Sequence, residues 1–122
     1  MELVSTFFNV LNNIKLYHWN TRSYARHKSS DEFVEKITSL SDRFIETYIG
    51  KKNYTYNLTS KPIYLTIDTL NDASVIYCLE QFIDFLTNDI KKYIKDTDSE
   101  LLNIRDEIMA ITRQTLYLYR LN

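Results

Sequence analysis

The fold is decided first by residues 2–19, which read ELVSTFFNVLNNIKLYHW. Apolar side chains recur in this stretch at every third or fourth position, and a histidine continues their series near its end. The series is Leu3, Phe7, Leu11, Ile14 and His18. Residues with this spacing share one face of an α-helix. The stretch therefore predicts a first helix from about Glu2 to Trp19, with His18 at the end of its core-facing stripe.

A second helix is predicted by the same periodicity after a short link. It is expected to begin at about Ala25, or at Ser29 if Ser29 and Glu32 form part of a capping box. Its expected end is Ile49, because Gly50 follows and glycine commonly terminates helices.

The second half of the chain predicts two more helices. The third is expected from about Asn71 to Lys95. The fourth is expected to start at a capping box formed by Thr97 and Glu100 and to run close to the end of the sequence.

Between the second and third helices, Lys51–Leu70 has no helical period and contains Pro62. We expect it to form a long crossover, locally extended at 63–67, which lets the third helix run parallel to the second. The predicted fold is all-α, a ferritin-like four-helix bundle with a long crossover between helices two and three. One such domain is expected over residues 1–122.

Composition agrees with long helices and excludes several classes of protein. The 122 residues include one glycine and one proline, too few for the tight turns of an all-β fold. The net charge is -1, which gives no general attraction to nucleic acid or to an anionic membrane. Cys78 is the only cysteine, which excludes an internal disulfide and a zinc finger. No apolar run is long enough to span a membrane, and we expect a cytoplasmic protein.

Two histidines and three carboxylates are the candidates for chemistry. Counted from His27 at 100° per residue, Asp31, Asp42 and Glu46 fall at roughly 40°, 60° and 100°, so the four share one polar stripe of the second helix. Imidazole and carboxylate together suit iron, zinc or manganese. Because the stripe faces away from the protomer's own core, a contact between protomers is the natural place for such a metal. The alternatives are a solvated acidic face and, for His18, a hydrogen-bonded core residue.

The segment His18-Trp19-Asn20 resembles the His-Trp-Asn signature of the Dps family, ferritin-like proteins that store iron and protect DNA. The resemblance continues in register, because that family has Asp, Asp and Glu at 4, 15 and 19 residues after a second histidine. Here His27 is followed at those offsets by Asp31, Asp42 and Glu46. The chain also resembles a ferritin-like group of bacteriophages and large DNA viruses, which would place it in the host cytoplasm or the virion.

The resemblance implies a shared metal centre and a homo-oligomer, from a dimer up to a dodecamer. His18 and His27 would bind iron from one chain, Asp42 and Glu46 from its neighbour, and Asp31 would bridge or orient. Peroxide or dioxygen would oxidise ferrous iron there, as in protection from oxidative stress. Trp19 would pack at the same interface; its alternative role is that of a plain core aromatic.

Three features set this chain apart from the family. The link between the histidines is shorter, with Ser23 where the family has glycine, and we expect no Lys-rich N-terminal tail. Strong DNA binding is therefore not expected. The alternatives to iron oxidation are a ferritin-like structural, virion or assembly protein without ferroxidase activity, and a DNA-associated protein.

Overall fold

The computed structural model describes residues 2–53 and 61–121. Within them lie four α-helices and one 3₁₀ turn, and these described parts contain no β-strand. The elements are α1 (Glu2–Asn20), α2 (Tyr24–Lys52), α3 (Ser74–Thr87), the 3₁₀ turn (Asp89–Lys92) and α4 (Ser99–Arg120). The prediction of an all-helical chain is confirmed. None of the described helices is long and apolar enough to cross a membrane.

The start of α2 agrees within one residue with the predicted start at Ala25, whereas its end differs from the prediction. The helix starts at Tyr24, because the Ser23 side chain accepts a hydrogen bond from the Arg26 backbone nitrogen, as an N-cap does. The predicted start at Ser29 is wrong. The helix also continues through Gly50, and Asn53 ends it with φ 64° in the left-handed region. Asparagine tolerates that conformation better than most residues, so it takes the role that was expected of Gly50.

The predicted third helix is broken. Thr87, Asn88 and Asp89 follow one another, and all three are weak helix formers whose side chains compete for backbone hydrogen bonds. Asn88 donates to the Asp84 carboxylate at 2.8 Å, and the chain continues as the 3₁₀ turn. The expected continuous helix to Lys95 is therefore wrong.

The predicted capping box of α4 is also wrong. Asp98, rather than Thr97, is the N-cap residue, and its carboxylate is used elsewhere. Asp98 is 3% exposed; it accepts hydrogen bonds from the Lys52 Nζ and the Lys95 backbone nitrogen, both at 2.8 Å, and its other oxygen lies 3.0 Å from the Lys51 Nζ. This cluster joins the end of α2 to the start of α4.

The contacts fix the direction of each helix. The short link makes α1 and α2 antiparallel, and α4 runs antiparallel to α2, since the Arg26 side chain donates to the Tyr119 carbonyl oxygen at 2.8 Å. The Tyr17 hydroxyl donates to Asp72 at 2.7 Å, just before α3, so α3 starts at the end of α1. The helix pairs in contact are α1–α2, α2–α4, α3–α4 and α1–α3. Consequently α2 and α3 lie diagonally across the bundle and run in the same direction.

The core is built around aromatic rings from three helices. Phe7 contacts Phe44 and Phe82 edge to face, with ring centroids 5.8 Å and 6.2 Å apart, and Phe33 approaches Phe82 in the same manner. Each such ring, fully buried, contributes about 1.5–3 kcal/mol. The amphipathic stripes predicted from the sequence thus meet in one interior.

Residues 61–70 of the predicted crossover lie along α1 without regular structure, whereas Lys51 and Lys52 belong to α2, so the predicted start of the crossover at Lys51 is wrong. Asn9 and Asn13, one turn apart on α1, accept hydrogen bonds at 3.0 Å from the backbone nitrogens of Thr66 and Asp68. These bonds satisfy backbone groups that no helix or sheet pairs, and they hold the segment against α1. The remainder of the crossover, 54–60, lies outside the described residues.

Candidate metal centre

His18 and His27 lie against each other where α1 ends and α2 begins. Their rings stack with centroids 3.9 Å apart and an angle of 16° between planes. The His18 Nδ1 is 2.7 Å from the His27 carbonyl oxygen, and the His27 Nδ1 is 2.7 Å from the His18 carbonyl oxygen. A carbonyl oxygen only accepts hydrogen bonds, so we assign a proton to each Nδ1. In the neutral rings, each Nε2 then keeps a lone pair that can bind a metal.

The short link between the helices produces this pairing. The Thr21 backbone nitrogen closes the last turn of α1 on the Tyr17 carbonyl oxygen at 2.8 Å. Ser23 then caps α2, so the chain reverses within three residues. His18 in the last turn of α1 and His27 in the first turn of α2 must therefore face each other.

Asp31 lies one turn after His27 on α2, and its side chain approaches His18. Its Oδ1 is 3.9 Å from the His18 Nε2 and 3.6 Å from the Lys15 Nζ. Metal ions lie about 2.0–2.2 Å from nitrogen or carboxylate ligands. The distance between the Asp31 Oδ1 and the His18 Nε2 would therefore allow one ion to contact both atoms. His18, His27 and Asp31 are called the histidine cluster below.

Asp42 and Glu46 form a separate pair, one turn apart on α2, and both are exposed. A hydrogen bond with Asp42 and the negative charge of Asp42 raise the pKa of the Glu46 carboxyl. A bound cation would remove the cause of this shift. Asp42 and Glu46 are called the carboxylate pair below.

The histidine cluster and the carboxylate pair are far apart within one chain. Asp42 follows Asp31 by 11 residues of continuous helix, which is about 16 Å at 1.5 Å per residue. Among residues 2–53 and 61–121, no group of three or more His, Cys, Asp or Glu side chains is placed to hold a metal ion. The structure thus brings three of the five predicted residues together, keeps the other two as a pair, and separates the two sets.

An apolar groove lies between α1 and α2, with Asp42 in its wall. Its volume is about 360 Å³. The groove is lined by Val4, Phe7, Phe8, Leu11, Thr38, Ser39, Ser41, Asp42 and Ile45. Phe8, which lines the groove, is 47% exposed, whereas its neighbour Phe7 is buried in the core. The face of the molecule that carries both sets of candidate ligands is therefore partly apolar.

Trp19 lies on the same side of the molecule and is 66% exposed, so its alternative role as a core aromatic is wrong. The Lys15 ammonium, which also pairs with Asp31, is 5.7 Å from the centre of the indole ring. Lys15 thus connects the exposed indole to the histidine cluster.

Arg26 supports the histidine cluster, and sequence reasoning did not identify it. Its guanidinium donates to the Tyr17 hydroxyl at 3.0 Å, the Asp72 carbonyl oxygen at 2.9 Å and the Tyr119 carbonyl oxygen at 2.8 Å. It fixes the start of α2, next to His27, against α1, α3 and α4. An arginine in the first turn of a helix usually faces solvent, and no local pattern distinguishes this one.

Fold and site together define a small helical-bundle protein whose α1–α2 face carries the two histidines and the three candidate carboxylates. The family model of DUF5856, described as a family of unknown function, matches residues 18–119, and the chain belongs to that family. The matched range includes both sets of candidate ligands. No curated protein and no solved structure matches the chain.

Proposed function

We propose that this protein binds and oxidises ferrous iron at a centre shared between two protomers of a ferritin-like homo-oligomer. The observation that carries the proposal is the division of the five candidate ligands into two sets on one face. Within one chain, no group of three or more His, Cys, Asp or Glu side chains among the described residues is placed to hold a metal ion, so neither set completes a site alone. Together they supply two imidazoles and three carboxylates.

A two-fold contact through the α1–α2 face would combine the sets. If the two faces meet with their helices antiparallel, the histidine cluster of each protomer lies over the partner's carboxylate pair. A two-fold interface forms every contact twice, so a dimer would contain two such centres. His18 and His27 would bind from one chain, Asp42 and Glu46 from the other, and Asp31 would bridge or orient.

The course of the chain supports the ferritin-like part of the proposal. In that class of bundle, one long connection makes the second and third helices parallel. Here α2 and α3 run in the same direction, and the residues between them include the segment that lies along α1. A single domain over residues 1–122, in assemblies up to a dodecamer, agrees with this arrangement.

The ligand set suits ferrous iron as a substrate. Imidazole nitrogens bind Fe²⁺ well, and hard carboxylate oxygens favour the ferric product. Each ferrous ion loses one electron, and two electrons with two protons convert one hydrogen peroxide into two waters. The Nδ1 hydrogen bonds would fix the tautomer of both imidazoles, so that Nε2 is the nitrogen left to bind the ion.

A second candidate is a structural or assembly protein that keeps the bundle without oxidising iron. The observation in its favour is the ion pair between Lys15 and Asp31, since the ammonium already neutralises one carboxylate of the histidine cluster. In that case the α1–α2 face would serve only as a contact surface. Strong DNA binding remains unexpected under either proposal.

The test is the rate at which hydrogen peroxide oxidises added ferrous iron, followed by ferric absorbance. We expect the wild type to exceed the protein-free rate, and Asp42→Asn with Glu46→Gln to return to it. The matched control is Glu80→Gln with Glu107→Gln, which removes two exposed carboxylates from α3 and α4. Equal rates in the wild type and the protein-free control would favour the structural role instead.

A further inference from the structure

Trp19 is unusual because it is the only tryptophan of the chain and is largely exposed. Phe8, Lys15 and Trp19 follow one another at 7 and 4 residues, so they lie along one side of α1. Phe8 lines the groove and Lys15 pairs with Asp31, which places this side on the α1–α2 face. The indole thus stands beside the histidine cluster on the face proposed to meet a partner.

The groove provides a matching cavity at the other end of the same face. Its 360 Å³ volume is open, mostly apolar and bounded by the Asp42 carboxylate and by small hydroxyl side chains such as Thr38 and Ser39. An indole needs apolar surroundings for its ring and an acceptor for its N–H. The groove offers both.

The positions of Trp19 and Asp42 connect the two features. Trp19 adjoins His18 in α1, and Asp42 forms part of the groove wall. An antiparallel contact that brings His18 towards the partner's carboxylate pair therefore also brings Trp19 towards the partner's groove.

The charges of the face favour the same orientation. Lys15 and Lys28 lie near the histidine cluster and outnumber its one carboxylate, Asp31, so this end has an excess of positive charge; Lys28 is held over the exposed ring of Tyr24. The opposite end carries the carboxylate pair, and exposed Glu35 lies between the two ends on the same side of α2. Two antiparallel copies thus place positive groups over negative groups, whereas two parallel copies would place like charges together.

We propose that the occupant of the groove is Trp19 from a second copy of this chain, each protomer inserting its indole between α1 and α2 of the other. The inference rests on the shared centre proposed above and adds the residue that anchors the dimer. Buried aromatic anchors commonly dominate the affinity of such interfaces. Insertion would also exclude water next to the carboxylate pair.

The single tryptophan makes the inference directly measurable without iron. The probe is the indole fluorescence of the metal-free protein, excited apart from the tyrosines, over a dilution series in which sedimentation measures monomer and dimer. We expect the emission of the dimer to be blue-shifted and protected from acrylamide quenching, and the monomer to show an exposed indole.

A variant of the groove identifies where the indole goes. Thr38→Arg introduces a large charged side chain at an exposed position of the groove, and Gln114→Arg makes the same change at an exposed position of α4. We expect Thr38→Arg to raise the dimer dissociation constant by about thirtyfold or more, the loss typical of one buried aromatic anchor. Gln114→Arg should leave the constant and the fluorescence unchanged.

The outcomes separate this inference from the proposed function. A monomer at every concentration, a dimer whose indole stays exposed, or burial of the indole that persists in a fully dimeric Thr38→Arg overturns the inference. Burial that depends on the groove, in a protein that does not oxidise iron, supports the inference and removes the proposed function. Iron oxidation by a protein whose indole stays exposed supports the proposed function and overturns the inference.

Discussion

His18 and His27 exchange hydrogen bonds across the link between α1 and α2, each Nδ1 donating to the other residue's backbone carbonyl oxygen at 2.7 Å. The bond from His27 also satisfies the His18 carbonyl group, which lies in the last turn of α1 and has no partner within that helix, so it serves the fold as well as the side chain. This relationship fixes which nitrogen of each ring is available for a ligand, and it determines the first prediction.

Both histidines should be in the Nδ1-protonated form when neutral. Long-range ¹H–¹⁵N NMR of the metal-free protein above the titration range of histidine distinguishes the two tautomers. We expect Nδ1–H for both rings in the folded protein, because only that nitrogen reaches the carbonyl oxygen. The chemically unfolded chain is the control and should lose this preference. An Nε2–H signal from either folded ring would contradict the reciprocal hydrogen bonds.

Replacement of Arg26 should destabilise the whole bundle. Arg26→Met removes three charge-assisted hydrogen bonds and leaves the Asp72 and Tyr119 carbonyl oxygens without this donor. We expect the free energy of unfolding to fall by about 2–4 kcal/mol, measured by urea denaturation. Arg26→Lys should recover only part of it, since an ammonium lacks the planar fork. Arg22→Met, at an exposed position of the same link, should change stability by less than about 0.5 kcal/mol.

Acid should weaken the join between α2 and α4 through Asp98. Hydrogen bonds from Lys52, from the Lys95 backbone nitrogen and from Lys51 hold the pKa of the Asp98 carboxyl well below its ordinary value of 3.8. The unfolded chain therefore takes up this proton more readily than the folded one. The stabilisation is fully present above the unfolded pKa and is lost as the pH falls towards the folded pKa.

Asp98→Asn tests this pH dependence. We expect a lower melting temperature than the wild type at neutral pH and a smaller difference between the two proteins below pH 3.8. Asp96→Asn, at an exposed position of the same turn, is the control and should follow the wild type throughout. A constant difference between Asp98→Asn and the wild type at every pH would exclude the proposed titration.

Unlike ionised Asp98, which stabilises the fold, the ionised carboxylate pair should destabilise the metal-free protein. The raised pKa of Glu46 shows that its charged form is disfavoured next to Asp42, so this repulsion destabilises the fold above the pKa of Glu46 and is relieved by protonation. Asp42→Asn should therefore raise the melting temperature slightly at neutral pH, as seen by calorimetry. Glu107→Gln, on α4, should have no such effect.

Added divalent metal should reverse the difference in melting temperature between the wild type and Asp42→Asn. A ligand that binds only the folded state stabilises it, and Asp42→Asn removes one of its expected ligands. We expect manganese, as a redox-stable probe, to raise the melting temperature of the wild type more than that of Asp42→Asn. An equal rise in both proteins would show that Asp42 does not contact the metal.

The sequence by itself determined the helices and the residues that could carry chemistry. Helical period is a local property, so the stripe from Leu3 to His18 was sufficient to predict α1 within one residue of its observed end. The alignment of His27, Asp31, Asp42 and Glu46 on one side of α2 likewise depends only on the geometry of a helix. The ends of α2 were harder to predict. Ser23 and Ser29 are both suitable N-cap residues, and Gly50 and Asn53 are both suitable residues to end the helix.

Only the tertiary structure decided which of these residues meet. The stacking of His18 on His27 depends on the three-residue reversal between α1 and α2, and the role of Arg26 depends on contacts with α1, with α4 and with Asp72 just before α3. The exposure of Trp19 follows from how α1 is rotated against its neighbours. Such contacts join residues that are distant in sequence, so the periodicity of one helix does not contain them. For that reason the candidate ligands were predictable one by one, whereas the meeting of His18 with His27 and Asp31 required the packed bundle.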